Sequence, residues 1–562
     1  MRIVVIGGVA GGMSAAARAR RLAENAEIIV LDRGDYASFA NCGLPYYLSA
    51  EITDVADLLI QTPASLAAAL NLDVRLRHDV TALDPNTKTL TIQTDSGVQQ
   101  LTYDHLILSP GARAARPPIG GLDHDRVRPL RTINDVEHLS NLLDDGARRA
   151  VVLGSGFIGL EAAEALAMRG LKVTLVELAS QVLPSTEAEL AQLLHQELET
   201  LDIRVLTGVG AEQVLDSPNN SHPVAVQLNT GEQLPADLVV LATGITPDTE
   251  VFAAAGAQTE RGYLSTDQFG RTNLPDVWAV GDAVLSTDLI TKARRPVALA
   301  GPANRAGRIV AENVINRESQ RELPELVGTA IVRVGGLTAA STGANRQALA
   351  AANIPFTTVH LHPKDHAGYF PGSTSIHLVA HFHQETGKLL GASAVGQKGV
   401  DKRIDVLATA LKTGLTAQDL IDLDLSYSPP YGQAKDPVNL LGMIAENTLR
   451  GGLELWQGAQ IADEAPTGVF IDTRSAAEFA KDRVRGSVNI PHTALRERIA
   501  EVRELVGERR ALLICESGVR SHLAHRVLVQ HGVPSASLSG GMLTLRPTLQ
   551  AAGIRADWIE EK

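Results

Sequence analysis

Two cysteines, Cys42 and Cys515, stand in loops whose composition could activate a thiol, and the 562-residue chain has no others. Cys42 lies in Ser-Phe-Ala-Asn-Cys-Gly-Leu-Pro-Tyr-Tyr, residues 38–47, and Cys515 lies in Cys-Glu-Ser-Gly-Val-Arg-Ser, residues 515–521. Neither has a second cysteine at CxxC spacing. Two-electron chemistry at Cys42 therefore needs a thiol from outside the chain or an oxidised form of its own sulfur. The pattern is typical of an enzyme that handles sulfur.

A pattern for binding a dinucleotide precedes Cys42. Residues 3–6 predict a strand, residues 7–12 form a glycine-rich turn, and an alanine-rich helix follows. A second strand, residues 27–31, ends at Asp32. Such glycines let the backbone approach a pyrophosphate at the N-terminus of the helix, and the carboxylate accepts from ribose hydroxyls. Val9 takes the place usual for the middle glycine. The candidate binding residues are Gly7, Gly8, Ala10, Gly11, Gly12, Asp32 and Arg33.

The same pattern occurs a second time. Residues 150–153 predict a strand, residues 154–159 are a complete GxGxxG, and a predicted helix follows. The next strand, residues 172–176, ends at Glu177. Two fingerprints, each with its carboxylate about twenty residues on, are far more specific than one. No arginine follows Glu177 to receive a 2′-phosphate, which favours NADH over NADPH. The candidates are Gly154, Gly156, Ile158, Gly159 and Glu177.

Two later segments complete this arrangement. Residues 238–242 predict a strand, and residues 277–283 predict a strand, a glycine turn and a carboxylate that opens a helix. An aspartate at that place can bond a polyol such as the ribityl chain of a flavin. The order resembles the two-dinucleotide flavoprotein disulfide reductases over about residues 1–445. The resemblance implies FAD at the first fingerprint and at Asp282, and NAD(P)H at the second. Further candidates for cofactor binding are Gly111, Gly244, Gly281 and Asp282.

The residues around Cys42 distinguish between the subfamilies of that superfamily. Dithiol reductases carry CxxxxC, whereas single-cysteine members include NADH oxidases and peroxidases, which cycle through sulfenic acid, and coenzyme A-disulfide reductases. Residues 38–47, 369–372 and 425–437 resemble the motifs of the coenzyme A-disulfide reductases. By that resemblance the enzyme is a homodimer, and Tyr427 and Tyr369 reach Cys42 of the partner subunit. The alternative for both tyrosines is simple packing in a turn.

The first helix carries Arg18, Arg20 and Arg21, and the first and last of these share a face. They could bind the phosphates of coenzyme A, or they could form an ordinary solvated helix face. The candidate coenzyme A site is Arg18, Arg21, Ser38 and Asn41. His377, His381 and His383 fall in an apolar strand pattern without nearby acidic or cysteine ligands, so no metal site is expected.

A small α/β pattern follows a polar, glycine-containing stretch near the C-terminus. Residues 511–514 predict a buried strand that runs directly into Cys515, and a helix is expected to begin at about Ser521. Backbone N–H groups of such a loop, together with Arg520, stabilise a thiolate or a bound persulfide. The pattern resembles a single rhodanese domain over about residues 465–555.

The sequence thus predicts an α/β protein with two Rossmann-like dinucleotide-binding domains, an α+β dimerisation domain and an α/β rhodanese domain. The expected bounds are 1–115 with 243–320 for FAD, 116–242 for NAD, 321–446 for dimerisation, 447–465 for a linker and 466–562 for rhodanese. The resemblance implies an FAD-dependent NADH:coenzyme A-persulfide or disulfide reductase fused to a sulfurtransferase. Alternatives are an NADH oxidase or peroxidase, and a sulfur carrier or redox sensor without turnover.

Composition limits the partners. The formal charge of −13 argues against nucleic acid or anionic membrane as a general partner. No apolar run approaches a membrane span. Two cysteines cannot form a disulfide scaffold, so a reducing cytoplasm is the expected location. The expected partners are small sulfur compounds, with FAD, NADH and coenzyme A as cofactors or substrates.

Overall fold

The structure is a computed structural model that describes residues 1–217 and 222–561. The chain divides into two compact units, residues 1–178 with 202–326 and residues 179–201 with 327–562. Each unit is built on two five-stranded sheets. Among the described residues, no helix is both long and apolar enough to cross a membrane. The same residues contain no group of three or more His, Cys, Asp or Glu side chains that could hold a metal ion.

The first sheet is parallel and carries the first fingerprint. Its strand order is Val277–Ala279, His105–Leu108, Arg2–Ile6, Glu27–Leu31 and Asp73–Arg75. In the central strand Val4 and Ile6 pack into one core and Ile3 and Val5 into another, as expected of a parallel sheet covered on both faces. Helix Ala10–Leu22 follows the glycine turn and packs against helix Ala300–Ile315.

Shorter elements surround this sheet. The helices are Leu44–Leu48, Pro63–Leu70 and Glu250–Ala254, and the single 3₁₀ turns are Asn41–Gly43, Val55–Leu58 and Gly281–Ala283. The additional strands are Asp79–Asp84, Thr89–Thr94, Gly97–Thr102, Ala112–Ala114, Ile245–Pro247, Thr259–Glu260, Tyr263–Leu264, Leu285–Thr287 and Arg294–Pro296. Asp282 lies in one of these 3₁₀ turns, so the helix that the sequence predicted there is wrong. The chain continues instead into strand Leu285–Thr287.

The second sheet repeats the first around the second fingerprint. Its parallel order is Arg204–Thr207, Lys172–Glu177, Arg149–Leu153, Leu238–Leu241 and Val127–Pro129. The flanking helices are Ile133–Asp144 and Phe157–Met168, and a three-stranded antiparallel sheet of Ala211–Asp216, Val224–Leu228 and Gln233–Ala236 lies beside it. The two glycine turns match, because Gly7 N–H donates to Leu31 O and Gly154 N–H to Val176 O, each at 2.8 Å.

The third sheet is antiparallel and belongs to the second unit. Its order is Ala330–Val334, Leu337–Gly343, Leu389–Gly396, Ile376–His383 and Phe356–Leu361. The helices are Ala188–Thr200, Arg346–Ala351, Val400–Thr413, Ala417–Ile421 and Pro437–Leu449. Chain position suggested that residues 188–200 belong to the NAD-binding domain, but this helix packs on the third sheet and falls in the second unit.

The fourth sheet carries Cys515. Its parallel order is Leu455–Trp456, Ser535–Leu538, Arg510–Ile514, Gly468–Asp472 and Val488–Asn489. The helices are Ile461–Glu464, Ala476–Lys481, Ile499–Val506, Val519–Gln530, Met542–Ala551 and Arg555–Trp558, with a 3₁₀ turn at Gly458–Gln460 and a strand pair of Asp482–Val484 and Ile559–Glu561. Residues 447–465, expected to form a linker, are structured and supply the edge strand of this sheet. The helix after Cys515 begins at Val519, two residues before the predicted position.

The α/β fold class with two Rossmann-type sheets is therefore confirmed, whereas the exact domain bounds stay predictions. The central strands of the first two sheets are apolar on both faces. A glycine turn follows the carboxyl end of each of these strands.

Two glycines of the second fingerprint differ in what a side chain would meet. A Cβ at Gly159 would lie 1.9 Å from Gly154 O, whereas a Cβ at Gly156 would meet nothing within 4 Å. We expect Gly159→Ala to push the helix off the turn and to cost about 1–3 kcal/mol of stability. Gly156→Ala should leave the unfolding temperature unchanged. Thermal unfolding without added nucleotide tests this difference, and equal unfolding temperatures for the two variants would contradict it.

Candidate active sites

The first glycine turn is closed by a carboxylate. Gly8 N–H donates to Asp32 Oδ2 at 2.7 Å, and Gly34 N–H donates to the other oxygen of Asp32 at 2.7 Å. Burial raises the pKa of the Asp32 carboxyl, and the two N–H donors and Arg33 oppose that shift only in part. This arrangement places a hydrogen-bond acceptor at the end of the second strand, where a ribose hydroxyl can reach it.

The second turn is closed in the same way and has one extra bond. Ser155 N–H and Ser155 Oγ both donate to Glu177 Oε2 at 2.7 Å. Ser155 is fully buried, so its hydroxyl fixes the orientation of the carboxylate. The open space beside Gly156 is what a pyrophosphate needs at the N-terminus of helix Phe157–Met168. Ile158 lies in the first turn of that helix and is partly exposed.

The remaining cofactor candidates lie on turns of the first unit. Gly111, Gly244 and Gly281 all have positive φ, at 72°, 104° and 81°. Arg131 Nη2 donates to Asp282 Oδ2 at 2.9 Å, so one oxygen of Asp282 already has a partner. Arg33 forms an ion pair with Asp248.

Cys42 lies on the 3₁₀ turn Asn41–Gly43, directly before helix Leu44–Leu48, and is exposed. Its thiol is 3.9 Å from Asn41 Oδ1. Although the residue is exposed, protein atoms around its sulfur displace water and raise the pKa of the Cys42 thiol, and the negative charges of Glu161 and Asp282 act in the same direction. The sequence suggested an activated thiol, but the protein side chains by themselves favour the protonated form.

The predicted coenzyme A residues fall into different environments. Ser38 has a positive φ of 53°, and its N–H donates to Gly8 O at 2.7 Å, which ties the Cys42 loop to the first glycine turn. Arg18 forms an ion pair with Glu312 at 2.6 Å, while Arg21 is exposed. Arg20 is buried and donates to backbone carbonyls, so it is a structural residue.

The two predicted tyrosines of the second unit come together. Tyr369 Oη and Tyr427 Oη are 3.2 Å apart, although the residues are 58 positions apart in the chain. Both side chains are exposed. Their loops are joined by the N–H of Ala367, which donates to Pro429 O at 3.4 Å. The sequence motifs therefore mark one exposed pair of phenols.

Cys515 lies fully buried at the end of strand Arg510–Ile514. Gly518 N–H donates to its Sγ at 3.1 Å, and Ser521 Oγ is 3.2 Å from the same sulfur. Ser537 Oγ donates to Ser521 Oγ at 2.8 Å, which adds a second buried hydroxyl behind the thiol. Sequence reasoning found the loop but missed both serines; the Ser at the end of the Cys515 motif was the available signal for the first.

Charged residues brace the Cys515 loop. Arg520, predicted to stabilise the sulfur, donates two hydrogen bonds to Glu478, at 2.6 and 2.7 Å. Fully buried Arg474 and partly buried Arg546 both pair with Glu516, the residue after the cysteine. These partners could not be inferred from the sequence, because they come from distant segments.

Comparison with known proteins gives three family matches along the chain. Residues 1–298 match the pyridine nucleotide-disulphide oxidoreductase family, residues 329–437 match its dimerisation domain, and residues 449–544 match the rhodanese-like domain. The first match spans more than half of the chain. The protein belongs to the pyridine nucleotide-disulphide oxidoreductase family. Members of this family use FAD and NAD(H).

One sequence relative and two solved structures are similar to this oxidoreductase over most of their length. The coenzyme A disulfide reductase of Staphylococcus haemolyticus is 33% identical over 451 residues, which cover 79% of this chain and 99% of that protein. The crystal structure of reduced Bacillus anthracis CoADR-RHD superimposes with a TM-score of 0.94 at 37% identity and covers 98% of both chains. An NAD-dependent persulfide reductase from A. fulgidus gives a TM-score of 0.90 at 34% identity, over 97% of this chain and all of that one.

The environment of Cys42 yields a prediction about this oxidoreductase. In flavin-free protein with Cys515 replaced by alanine, the pH midpoint for alkylation of Cys42 by iodoacetamide should lie above that of an ordinary thiol, about 8.5. Glu161→Gln removes a negative charge that raises the pKa of this thiol. The midpoint should therefore move to lower pH in that variant. Glu137→Gln is the control, since Glu137 is not among the groups that shift the pKa of Cys42. A midpoint that Glu161→Gln leaves unmoved would disprove this electrostatic account.

Proposed function

We propose that this protein is an NADH-dependent reductase of coenzyme A persulfide, coenzyme A disulfide or polysulfide, fused to a sulfurtransferase. The observation that carries the proposal is the distribution of cysteine, because each unit has one thiol in a loop of a different kind. The relatives named coenzyme A disulfide reductase and persulfide reductase supply the substrate class.

The first unit fits two dinucleotides. Asp32, Asp282 and the glycines of the first turn would hold FAD, which when bound passes electrons from the nicotinamide to sulfur. Glu177, held by Ser155, would receive the ribose of NADH. The open space at Gly156 supports this, since packing of the protein does not require glycine there. Arg21, Ser38 and Asn41 are the candidates nearest in sequence to Cys42 for the phosphates and thiol of coenzyme A.

Cys42 is proposed as the redox residue. Its thiolate attacks one sulfur of the S–S bond of the substrate, and the other sulfur leaves as a thiol or as sulfide. The resulting disulfide or persulfide on Cys42 then takes up two electrons that originate from NADH together with one proton, and the second product leaves as a thiol or as sulfide. The thiolate of Cys42 is restored. The exposed pair Tyr369 and Tyr427 is proposed to serve the partner subunit's Cys42 as proton donors in a homodimer.

Cys515 is proposed as the sulfur-transfer residue. Its thiolate accepts the outer sulfur of a donor such as thiosulfate, forms a persulfide and releases the rest of the donor. A second nucleophile then takes the sulfur. Gly518 N–H already points at Sγ, and Ser521 Oγ lies within reach, so two donors can stabilise the negative charge. Arg520 contributes charge near the sulfur while its hydrogen bonds hold Glu478.

Exchanging each cysteine in turn tests the proposal. Cys42→Ser should lose NADH-dependent reduction of coenzyme A disulfide and persulfide by at least a hundredfold, because no second thiol in its unit can replace it. Thiosulfate:cyanide sulfur transfer should continue in that variant. Cys515→Ala should show the reverse, so each variant is the folding control for the other. Steady-state assays of both activities on both proteins make the comparison.

Assays with oxygen and peroxide as electron acceptors distinguish this proposal from an NADH oxidase or peroxidase. An NADH oxidase or peroxidase that cycles through sulfenic acid would turn over oxygen or peroxide faster than either coenzyme A substrate in the parent protein. Persulfide turnover that survives in Cys42→Ser would show that Cys42 is not the redox residue.

A further prediction concerns the nicotinamide cofactor. We expect the parent protein to prefer NADH in kcat/KM, since a 2′-phosphate against Glu177 would be repelled and left without a partner. Glu177→Ala should narrow that preference several-fold, mainly because NADH binds more weakly to the variant. Glu212→Ala, at an exposed glutamate of the same unit, should leave it unchanged. Equal kcat/KM for NADH and NADPH in the parent would refute the assignment of Glu177.

A further inference from the structure

The backbone of the Cys515 loop is held by the segment that joins strand Ser535–Leu538 to helix Met542–Ala551. Met542 N–H donates to Cys515 O and Leu543 N–H donates to Glu516 O, both at 2.9 Å. These donors are the first N–H groups of helix Met542–Ala551. The approach is close, because a Cβ at Gly541 would lie 2.4 Å from Cys515 O. Residues 539–544, here called the clamp segment, therefore set the position of the cysteine backbone.

The other side of the clamp segment contacts the third sheet. His360 Nδ1 is 2.7 Å from Ser539 Oγ, and His362 Nε2 is 2.8 Å from Thr544 Oγ1. A Cβ at Gly540 would lie 2.7 Å from the Cβ of His360. His360 is on edge strand Phe356–Leu361. Two histidines of the dimerisation domain thus bracket the residues that bind Cys515 and Glu516.

His360 is itself fixed from behind. Its Nε2 is 2.8 Å from Glu189 Oε1, and Arg346 pairs with the same carboxylate at 2.6 Å. The hydrogen bonds and charges of His360 and Arg346 overcome the effect of burial and hold the pKa of Glu189 well below its usual range. An ionised carboxylate only accepts, so His360 Nε2 carries a hydrogen. In the neutral ring Nδ1 then accepts from the Ser539 hydroxyl.

These contacts lie in the second unit, whereas Cys42 and both nucleotide fingerprints lie in the first. Ser539 and His360 are both buried, so they are not positioned to touch a sulfur donor in solution. Their bond joins two domains within one unit, and only two residues separate Ser539 from the donor that binds Cys515 O. A shift of the clamp segment is passed directly to the cysteine.

We propose that His360 is a positioning residue for sulfur transfer at Cys515, acting through its bond to Ser539 and the clamp segment. The dimerisation domain is then part of the machinery that shapes the sulfurtransferase site. The inference rests on the proposed sulfur transfer at Cys515. It adds that this activity depends on residues outside the rhodanese-like domain.

Two replacements of His360 separate its two bonds. The side-chain amide of Asn corresponds in position to Nδ1, so His360→Asn keeps a partner for Ser539 and gives up Glu189. The amide of Gln corresponds to Nε2, so His360→Gln keeps Glu189 and gives up Ser539. Ser539→Ala removes one oxygen and breaks the same bond as His360→Gln. The full-length protein is assayed for thiosulfate:cyanide sulfur transfer, with coenzyme A disulfide reduction and the unfolding temperature measured on the same preparations.

We expect His360→Gln and Ser539→Ala to lower kcat for sulfur transfer roughly tenfold with a smaller change in the KM for thiosulfate, because a displaced reacting atom slows the reaction more than it weakens binding. The double variant should be no slower than either single one. His360→Asn should keep at least half of kcat while losing more thermal stability than His360→Gln. Coenzyme A disulfide reduction should persist in all of them.

Three results would overturn the proposal. The first is a kcat for sulfur transfer in Ser539→Ala that lies within twofold of the parent value. This result is decisive even if the His360 variants do not fold. A kcat in His360→Asn as low as in His360→Gln is another, and additive losses in the double variant are the third. Cys515→Ala gives the background rate of the sulfur-transfer assay. A parent protein no faster than this background would reject the proposed activity of Cys515, and not the role of His360 alone.

Discussion

The chemistry of this protein is constrained by the isolation of its two thiols. Cys42 and Cys515 are the only cysteines of the chain, and each is the sole cysteine of its unit. A lone thiol cannot give up two electrons by forming an internal disulfide, so its oxidised form must be bonded to sulfur or oxygen from outside. The scaffolds around the two thiols differ. Cys42 is exposed on a loop tied to the first glycine turn, whereas Cys515 is buried and accepts a hydrogen bond from the N–H of Gly518.

The first unit contains the same hydrogen-bond arrangement twice, once at each glycine turn. A carboxylate at the end of the second strand accepts from the backbone of the glycine turn, through Gly8 to Asp32 and through Ser155 to Glu177. Under the proposed function, this bond would orient the acceptor for a ribose beside a turn that receives a pyrophosphate. The second copy adds a hydrogen bond from the Ser155 hydroxyl to Glu177, which suits the proposed preference for NADH over NADPH.

Much of this could be predicted from the sequence, because local patterns determine it. The two fingerprints, the carboxylates Asp32 and Glu177 and the strand that runs into Cys515 are all contiguous in the chain. The resemblance led us to expect Tyr369 and Tyr427 beside the partner subunit's Cys42, but it did not predict that their hydroxyl oxygens lie 3.2 Å apart.

Contacts between distant segments could not be predicted. The strand of His381 contains no acidic residue, yet Glu187, 194 positions away, lies 2.8 Å from its Nε2. The bond from His360 to Ser539 spans 179 positions, and no pattern of either segment indicates it. Arg520 was assigned to the sulfur by proximity, whereas its hydrogen bonds go to Glu478 because a carboxylate is the stronger acceptor. The pKa of Cys42 depends on the surrounding carboxylates, which only the fold brings near.

The central claim is that Cys42 works with a thiol from outside the chain, and the mass of the protein as isolated tests it most directly. Intact-mass and peptide mass spectrometry under non-reducing conditions should find coenzyme A in disulfide linkage on Cys42. The adduct should disappear after addition of NADH and be absent from Cys42→Ser. A Cys42 that carries only oxygen, as sulfenic or sulfinic acid, and never a thiol or a persulfide sulfur would contradict the account and favour an oxidase or peroxidase.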